Sequence, residues 1–429
     1  MKKSALPSRM TLPEEYLSEN PSEKDFIRVF SRVFQMHKKP ILSGSEMDDC
    51  AAVRLDSFCR DLSAESLTFS TDMVRESSDF PTTMTPWQKG WMAAAVNLSD
   101  LAAMGSKPVA FLFSAGLPAG FSLLEAGSLA QGIQDCVSFF GGEVVGGDTE
   151  FCEELTISGT VIGISENKHL TLRKNAAPGD LLCVTGTPGS AGVALSLLLN
   201  EIKTTNPVSD SFLKNLTEPF PRIAEGLLLS KSGAVTSMID TSDGLAYSVY
   251  ELSSLSGVGF EVNEEELINA ADSEALEILE KRISKKGEIQ NNIGKKKNED
   301  GEKQNEDEKK QNGDGEKQND VGYLTDAKAL LLQNALYTGG DYELLFTVSP
   351  EKLKTVEEIF KRYNESSKSS APDFKKIPSR GKSGRYPCRF AVIGKAIAES
   401  ENVIFRQSDS GTIRRPLLKK GYDSFKKYI

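Results

Sequence analysis

Six short runs of the chain set acidic residues beside glycine or small polar neighbours. They are Asp48-Asp49, Ser70-Thr71-Asp72, Asn97-Leu98-Ser99-Asp100, Gly146-Gly147-Asp148-Thr149, Asp240-Thr241-Ser242-Asp243-Gly244 and Gly339-Gly340-Asp341-Tyr342-Glu343. Histidine is nearly absent, with only His37 and His169. Hard oxygen donors without imidazole suit Mg²⁺, and Mg²⁺ in proteins usually accompanies phosphoryl groups. The same scarcity argues against a zinc centre or a histidine-based triad.

Most of these runs follow an apolar stretch, where a strand is expected to hand over to a loop or helix. Asp240 to Gly244 follows Val235–Ile239 and precedes a helical pattern. Ser242 or Asp243 could cap that helix, whose electropositive start could face an anion. Asp240 and Asp243 could also share a metal, or the run could be a plain capping turn. Gly146-Gly147 would let the backbone approach a phosphate, with Asp148 as ligand, and a tight turn fits equally well. Asn97, Ser99 and Asp100 lie inside an apolar helical pattern. They cost burial energy unless a core polar network or a metal satisfies them. The glycine-rich Gly186–Gly192 stretch is not a GxxxxGK[ST] loop, and neither a protein-kinase motif set nor GxGxxG occurs.

Hydrophobic periodicity supplies the elements that must hold these runs. Helices are expected over 25–36, 87–103, 123–140, from the glycine-rich stretch to about 200, over 222–231 and over 243–255. Strands are expected over 51–53, 67–70, 109–115, 143–145, 155–164, 181–185, 235–239, 342–348 and 390–397. The alternation predicts an α/β or α+β protein. Residues 1–20 read as a flexible arm. The remainder divides near 165–178 into domains of 21–165 and 166–429. Gly294 to Asp320 lacks any aliphatic, aromatic or cysteine residue and repeats Gly-Glu-Lys-Gln-Asn. That composition predicts a disordered insertion over about 285–320.

At 429 residues and 39% hydrophobic content, the chain can bury two cores. A net charge of −10 argues against a nucleic-acid binder. The six cysteines are irregularly spaced without CxxC, as in reduced cytoplasmic proteins. No run approaches the ~18 apolar residues of a membrane span.

Read in order, the strings DDCA (48–51), STDM (70–73), AVNLSDLAAMG (95–105), GGDT (146–149), R-x4-PGD-x3-VTG (173–186), PFPR (219–222), IDTSDGLA (239–246), DYELLFTV (341–348) and GYDSF (421–425) resemble the thiamine-monophosphate kinase family, within the aminoimidazole-ribonucleotide-synthetase-like superfamily. The resemblance implies an N-terminal α/β domain that pairs in a homodimer and a C-terminal α+β domain. It implies ATP-dependent phosphorylation of thiamine monophosphate, with Mg²⁺ as cofactor and ATP as co-substrate. By motif match, Asp49, Ser70, Thr71, Asp72, Asp100, Asp148, Asp240 and Asp243 would hold Mg²⁺. Gly147, Asp148, Arg173 and Ser242 would touch ATP, and Tyr422 would stack on the thiamine. No protein base is implied, because the acceptor is already an oxyanion.

The chain departs from that pattern at three places. Asp79-Phe80 stands where the family has histidine-phenylalanine. Gly340 occupies the acidic position of GGEDYEL, leaving Asp341 and Glu343 without a role. Ser45–Asp49 replaces Gly-x-Gly-Asp-Asp. Asp79 and Gly340 therefore mark the expected substrate contacts that differ. Competing readings are another ATP-using enzyme of the superfamily, or a binding protein that has lost turnover.

Overall fold

A computed structural model describes residues 29–30, 33, 41–43, 52–53, 66–204, 208–282, 327–366, 389–408 and 411–421. The expected arm, most of the 25–36 helix, the 285–320 insertion, Asp49 and Tyr422 lie outside the described residues.

In the first half, β1 (Ile41–Ser43) and β2 (Ala52–Val53) form a small antiparallel pair. A four-stranded sheet follows, built from β3 (Ser66–Arg75), β4 (Lys107–Leu117), β5 (Glu143–Phe151) and β6 (Thr156–Ser165) in the order β3-β6-β4-β5. Only β4 and β5 run parallel. Helices α1 (Pro86–Ala103) and α2 (Leu123–Phe139) cover one face. Both begin with a reciprocal capping box, Thr85 with Gln88 and Ser122 with Glu125. Each such cap adds about 1 kcal/mol of helix stability.

The second half carries a seven-stranded sheet of order β13-β12-β9-β11-β7-β10-β8. Its strands are β7 (Leu181–Thr185), β8 (Val235–Asp240), β9 (Gly259–Asn263), β10 (Leu344–Val348), β11 (Phe390–Ile397), β12 (Val403–Ser408) and β13 (Gly411–Pro416). The helices are α3 (Ser190–Leu198), α4 (Asp210–Thr217), α5 (Ile223–Ser232), α6 (Leu245–Ser256), α7 (Glu264–Ala270), α8 (273–282), α9 (Ala327–Tyr337) and α10 (Leu353–Ser366). The sheet is antiparallel apart from β9 with β12.

Two acidic runs expected at strand ends lie inside strands. Ser70-Thr71-Asp72 is central in β3, which pairs with β6 from Ser66 through Arg75. Gly146-Gly147-Asp148-Thr149 is central in β5, which follows β4 through Phe151 after a bulge at Phe111/Leu112. Ladder pairing, not side-chain hydrophobicity, sets the length of these edge strands.

Helix α1 is buried on nearly every side. It packs on β3 and β6, against α2, and against α5 and β8 of the second half. Glycine permits the closest approaches. A Cβ on Gly90 would lie 2.0 Å from the Leu129 carbonyl oxygen, and one on Gly226 of α5 would lie 2.1 Å from that of Ala102. One apolar cluster therefore runs from Phe111 and Leu129 through α1 to Leu227, Met238 and Phe346. The opposite face of the four-stranded sheet buries Ala110, Val145 and Ile164 but is exposed along β3. There Leu67, Phe69 and Met73 of β3 are 54%, 65% and 60% exposed.

Because the Gly226–Ala102 contact has no slack, Gly226→Ala must push α5 off α1. The expected loss is about 1–3 kcal/mol, typical of overpacking. It would be read as a lower midpoint in chemical denaturation, whereas a wild-type midpoint would contradict the close approach.

Candidate active site

The inner face of β3, the middle of α1 and the end of β8 meet at the seam between the two halves. On β3, Ser70 and Asp72 face α1. Ser70 Oγ donates to the Asp100 carboxylate, and the Asp72 amide donates to Asn97 Oδ1 at 3.0 Å. Asn97 Nδ2 donates to the Ala93 carbonyl at 2.9 Å, so the polar run inside α1 is satisfied. Ser99 Oγ donates to Asp240 Oδ2 at 2.7 Å, across 141 residues of sequence. Ser242 Oγ donates to Asp240 Oδ1 at 3.1 Å, and Ser248 Oγ donates to the Asp240 carbonyl at 2.7 Å.

These carboxyls resist ionisation. Burial, then the Asp72 charge, pushes Asp100 from the ordinary 3.8 up to about 6, against the pull of Ser70 and Arg173. Burial, then the Asp100 charge, does the same to Asp240, also to about 6. Asp72 is raised by burial and by Asp240 and Asp243, while a hydrogen bond with Asp100 lowers it. Arg173 is exposed and acts electrostatically on both Asp100 and Asp240.

The loop ends of the second half are tied down by groups to which sequence reasoning gave no role. Arg222 grips Glu343, with Nε donating to Oε2 at 2.5 Å and Nη2 donating to Oε1. Thr185 Oγ1 donates to Glu343 Oε2 at 2.8 Å. The Glu343 backbone then holds the acidic loop, since the Thr241 amide donates to its carbonyl at 2.9 Å. Asp341 accepts from the amides of Gly189 and Ala191 at 2.6 and 2.9 Å. The glycine-rich entry to α3, which looks suited to a phosphate, is therefore filled by the chain's own carboxylate. Between these anchors Tyr342 is left-handed at φ +50°. For a tyrosine this costs about 1–3 kcal/mol.

The remaining expected site residues are dispersed. Thr71 and Asp148 lie on the sheet face opposite α1 and α2. Thr71 Oγ1 donates to the Gly159 carbonyl at 2.7 Å, and Asp148 is exposed beside Ser114. Gly147 abuts the Phe113 ring, where any Cβ would come within 2.5 Å. Asp79 closes the turn after β3, accepting from the Arg75 amide at 2.8 Å and from Ser78 Oγ at 2.6 Å. Gly340, at φ +97°, donates its amide to the Ser242 carbonyl at 2.9 Å. Neither Ser242 nor Asp243 caps α6. Its N-cap is Gly244 at φ +100°, and the Ser242 hydroxyl is spent on Asp240. Gly421 packs against the Asp243 carbonyl and Tyr247, bringing the C-terminal segment to this loop.

Among the described residues, no three acidic, histidine or cysteine side chains converge on one point. The carboxylates instead approach in pairs, with their charge only partly offset by Arg173. Such a site fits Mg²⁺, which keeps several waters and shares ligands with substrate phosphates instead of sitting in an all-protein cage.

Residues 47–165 match the N-terminal domain of the AIR synthase related proteins, and residues 177–369 match their C-terminal domain. The thiamine-monophosphate kinase of Methanospirillum hungatei is 34% identical over 310 residues, covering 72% of this chain and 82% of that one. The enzyme of that name from Archaeoglobus fulgidus is 34% identical over 239 residues, covering 56% and 74%. Among solved structures, Stenotrophomonas maltophilia thiamine-monophosphate kinase shares the fold with a TM-score of 0.62 at 21% identity, covering 88% of this chain and 94% of that one. AaThiL complexed with AMPPCP and TMP follows the fold at 0.58 and 22% identity, covering 97% and 100%. The hydrogenase maturation protein HypE of E. coli also reaches 0.58 at 16% identity, covering 92% and 96%, so fold alone does not single out a reaction. The chain carries both AIR synthase related domains and belongs to the thiamine-monophosphate kinase family.

Proposed function

We propose that this chain transfers the γ-phosphoryl group of ATP to the phosphate of thiamine monophosphate, giving thiamine diphosphate and ADP. The observation that carries the reading is the buried acidic seam, where Asp72 and Asp100 of one half meet Asp240 of the other. A phosphate oxygen of the acceptor attacks the γ-phosphorus, and the bond to the ADP oxygen breaks. The attacking oxygen is already anionic, so no side chain needs to remove a proton. The difficulty is bringing two anionic phosphates together. Ser70, Asp72, Asp100, Asp240 and Asp243 would hold Mg²⁺ at the seam. When bound, Mg²⁺ supplies the positive charge that offsets the phosphates. The Ser99–Asp240 bond fixes the spacing of the two halves, and Arg173 adds a cation beside Asp100 and Asp240.

The exposed β3 side of the outer sheet face supports the homodimer. Exposed Leu67, Phe69 and Met73 form an apolar surface on β3, which among the described residues is one of the two edge strands of its sheet. Thr71 and Asp148 rise on that face from the two edge strands, three strand spacings or ~14 Å apart. One protomer's pair is too far apart to share an ion, whereas the edges of two joined sheets can meet. The cytoplasm suits the free thiols Cys136, Cys152 and Cys183. Among the described residues no helix is long and apolar enough to cross a membrane.

The direct test is purified protein with Mg-ATP and thiamine monophosphate, followed for thiamine diphosphate. Absence of product, with another phosphorylated acceptor turning over, would refute the assignment. Asp72→Asn and Asp148→Asn are each expected to lower kcat by about 100-fold or more with an intact fold by circular dichroism. A near-wild-type rate would remove that residue from the metal set.

The raised carboxyls set a pH dependence. A carboxyl with a folded value of about 6 against an ordinary 3.8 stabilises the metal-free fold below pH ~4. That contribution is lost as pH rises through about 6. Mg²⁺ takes the place of those protons. Its stabilising effect on the melting temperature should be large at pH 8 and small at pH 5. A shift independent of pH would contradict the site.

Phe69→Glu places a charge on the exposed β3 side of the outer sheet face. Sedimentation should then find monomer where the wild type is dimer. A wild-type monomer, or a dimeric Phe69→Glu, would rule out this surface.

A further inference from the structure

Tyr342 is unusual in both backbone and setting. Its neighbours on either side are locked, Asp341 by two amides at the start of α3 and Glu343 by Arg222 and Thr185. These anchors impose a left-handed φ of +50° on a bulky residue. The ring packs on the apolar cluster that joins the two halves. The phenol feels the carboxylates of Asp240, Asp72, Asp79 and Asp243, which come from both halves. Its hydroxyl has no hydrogen-bond partner among the described residues.

Ionised carboxylates and phosphate oxygens only accept hydrogen bonds. A ligand phosphate in this seam therefore needs donors, and the phenol is a neutral one with a free proton. Arg173 is felt by Asp100 and Asp240, while Asp79 is felt by Tyr342. Both groups thus act at Asp240, and Tyr342 alone is also coupled to Asp79 in the turn after β3, the position where a substrate contact is expected. The more highly charged triphosphate suits the guanidinium, which leaves the phenol for the acceptor.

We propose that Tyr342 contacts the substrate, its hydroxyl donating a hydrogen bond to the phosphate of the acceptor, and that the left-handed backbone serves to aim it there. The proposal rests on the kinase reading. Tyr342→Phe keeps the ring and its packing and removes only the donor. The KM for thiamine monophosphate should rise about tenfold or more, the scale of a hydrogen bond to a charged group. The KM for ATP should stay within about twofold, and the melting temperature should not move. Calorimetric titration with thiamine monophosphate alone should show the same weakening. An unchanged KM for thiamine monophosphate would overturn the proposal, as would an equal rise in both KM values with a lower melting temperature. Wild-type protein that fails to use thiamine monophosphate refutes the kinase reading and this proposal together. Active wild type with an unaffected Tyr342→Phe refutes this proposal alone.

Discussion

Crowded negative charge at the seam between the two halves is the constraint around which the molecule is arranged. Burial and mutual repulsion hold Asp100 and Asp240 near 6 and raise Asp72 as well. Left free, such groups would separate or draw in water. The Asp100 carboxylate is held by the Ser70 hydroxyl and the Asp240 carboxylate by the hydroxyls of Ser99 and Ser242, which leaves lone pairs unused on each. The unspent acceptor capacity is what a cation and its phosphate ligands can use.

The framework is stiff where this repulsion acts. Helix α1 is buried on nearly every side, and its glycine contacts with α2 and α5 leave no room for the halves to slide. In the second half the Arg222–Glu343 pair ties β7, α5 and β10 to the loop carrying Asp240, Ser242 and Asp243. A buried pair of this kind is weak evidence for net stability, because desolvation offsets its attraction. Its value is geometric, since it fixes where the acidic loop leaves β8. The strain at Tyr342 belongs to the same network, because locked neighbours force the residue between them.

Much of this was legible in the sequence, and the exceptions have physical causes. Leu181–Thr185 and Phe390–Ile397 formed strands at the expected limits, because continuous apolar runs admit few other placements. Ser70-Thr71-Asp72 and Gly146 to Thr149 were misplaced because polar and glycine residues read as loop. An edge strand tolerates both, since its ladder bonds are made by backbone. Once the runs are strands, their two-residue alternation divides Asp72 from Thr71, and Gly147 from Asp148. Asp341 and Glu343 went without a role because nothing in their own neighbourhood shows a partner. The groups they hold, Gly189, Ala191 and Arg222, lie more than a hundred residues earlier.

The sequence by itself determined the chemistry on offer: hard oxygen donors, almost no imidazole, and a fixed order of acidic runs along alternating strands and helices. Those are properties of residue type and local periodicity, which no later contact can change. Only the tertiary structure decided which donors meet. Ser99 and Asp240, Asp72 and Asp100, and the phenol of Tyr342 come together because buried polar groups must find partners wherever packing leaves them. Sheet order and the close seating of α5 on α1 choose those partners, and neither is encoded within any one segment.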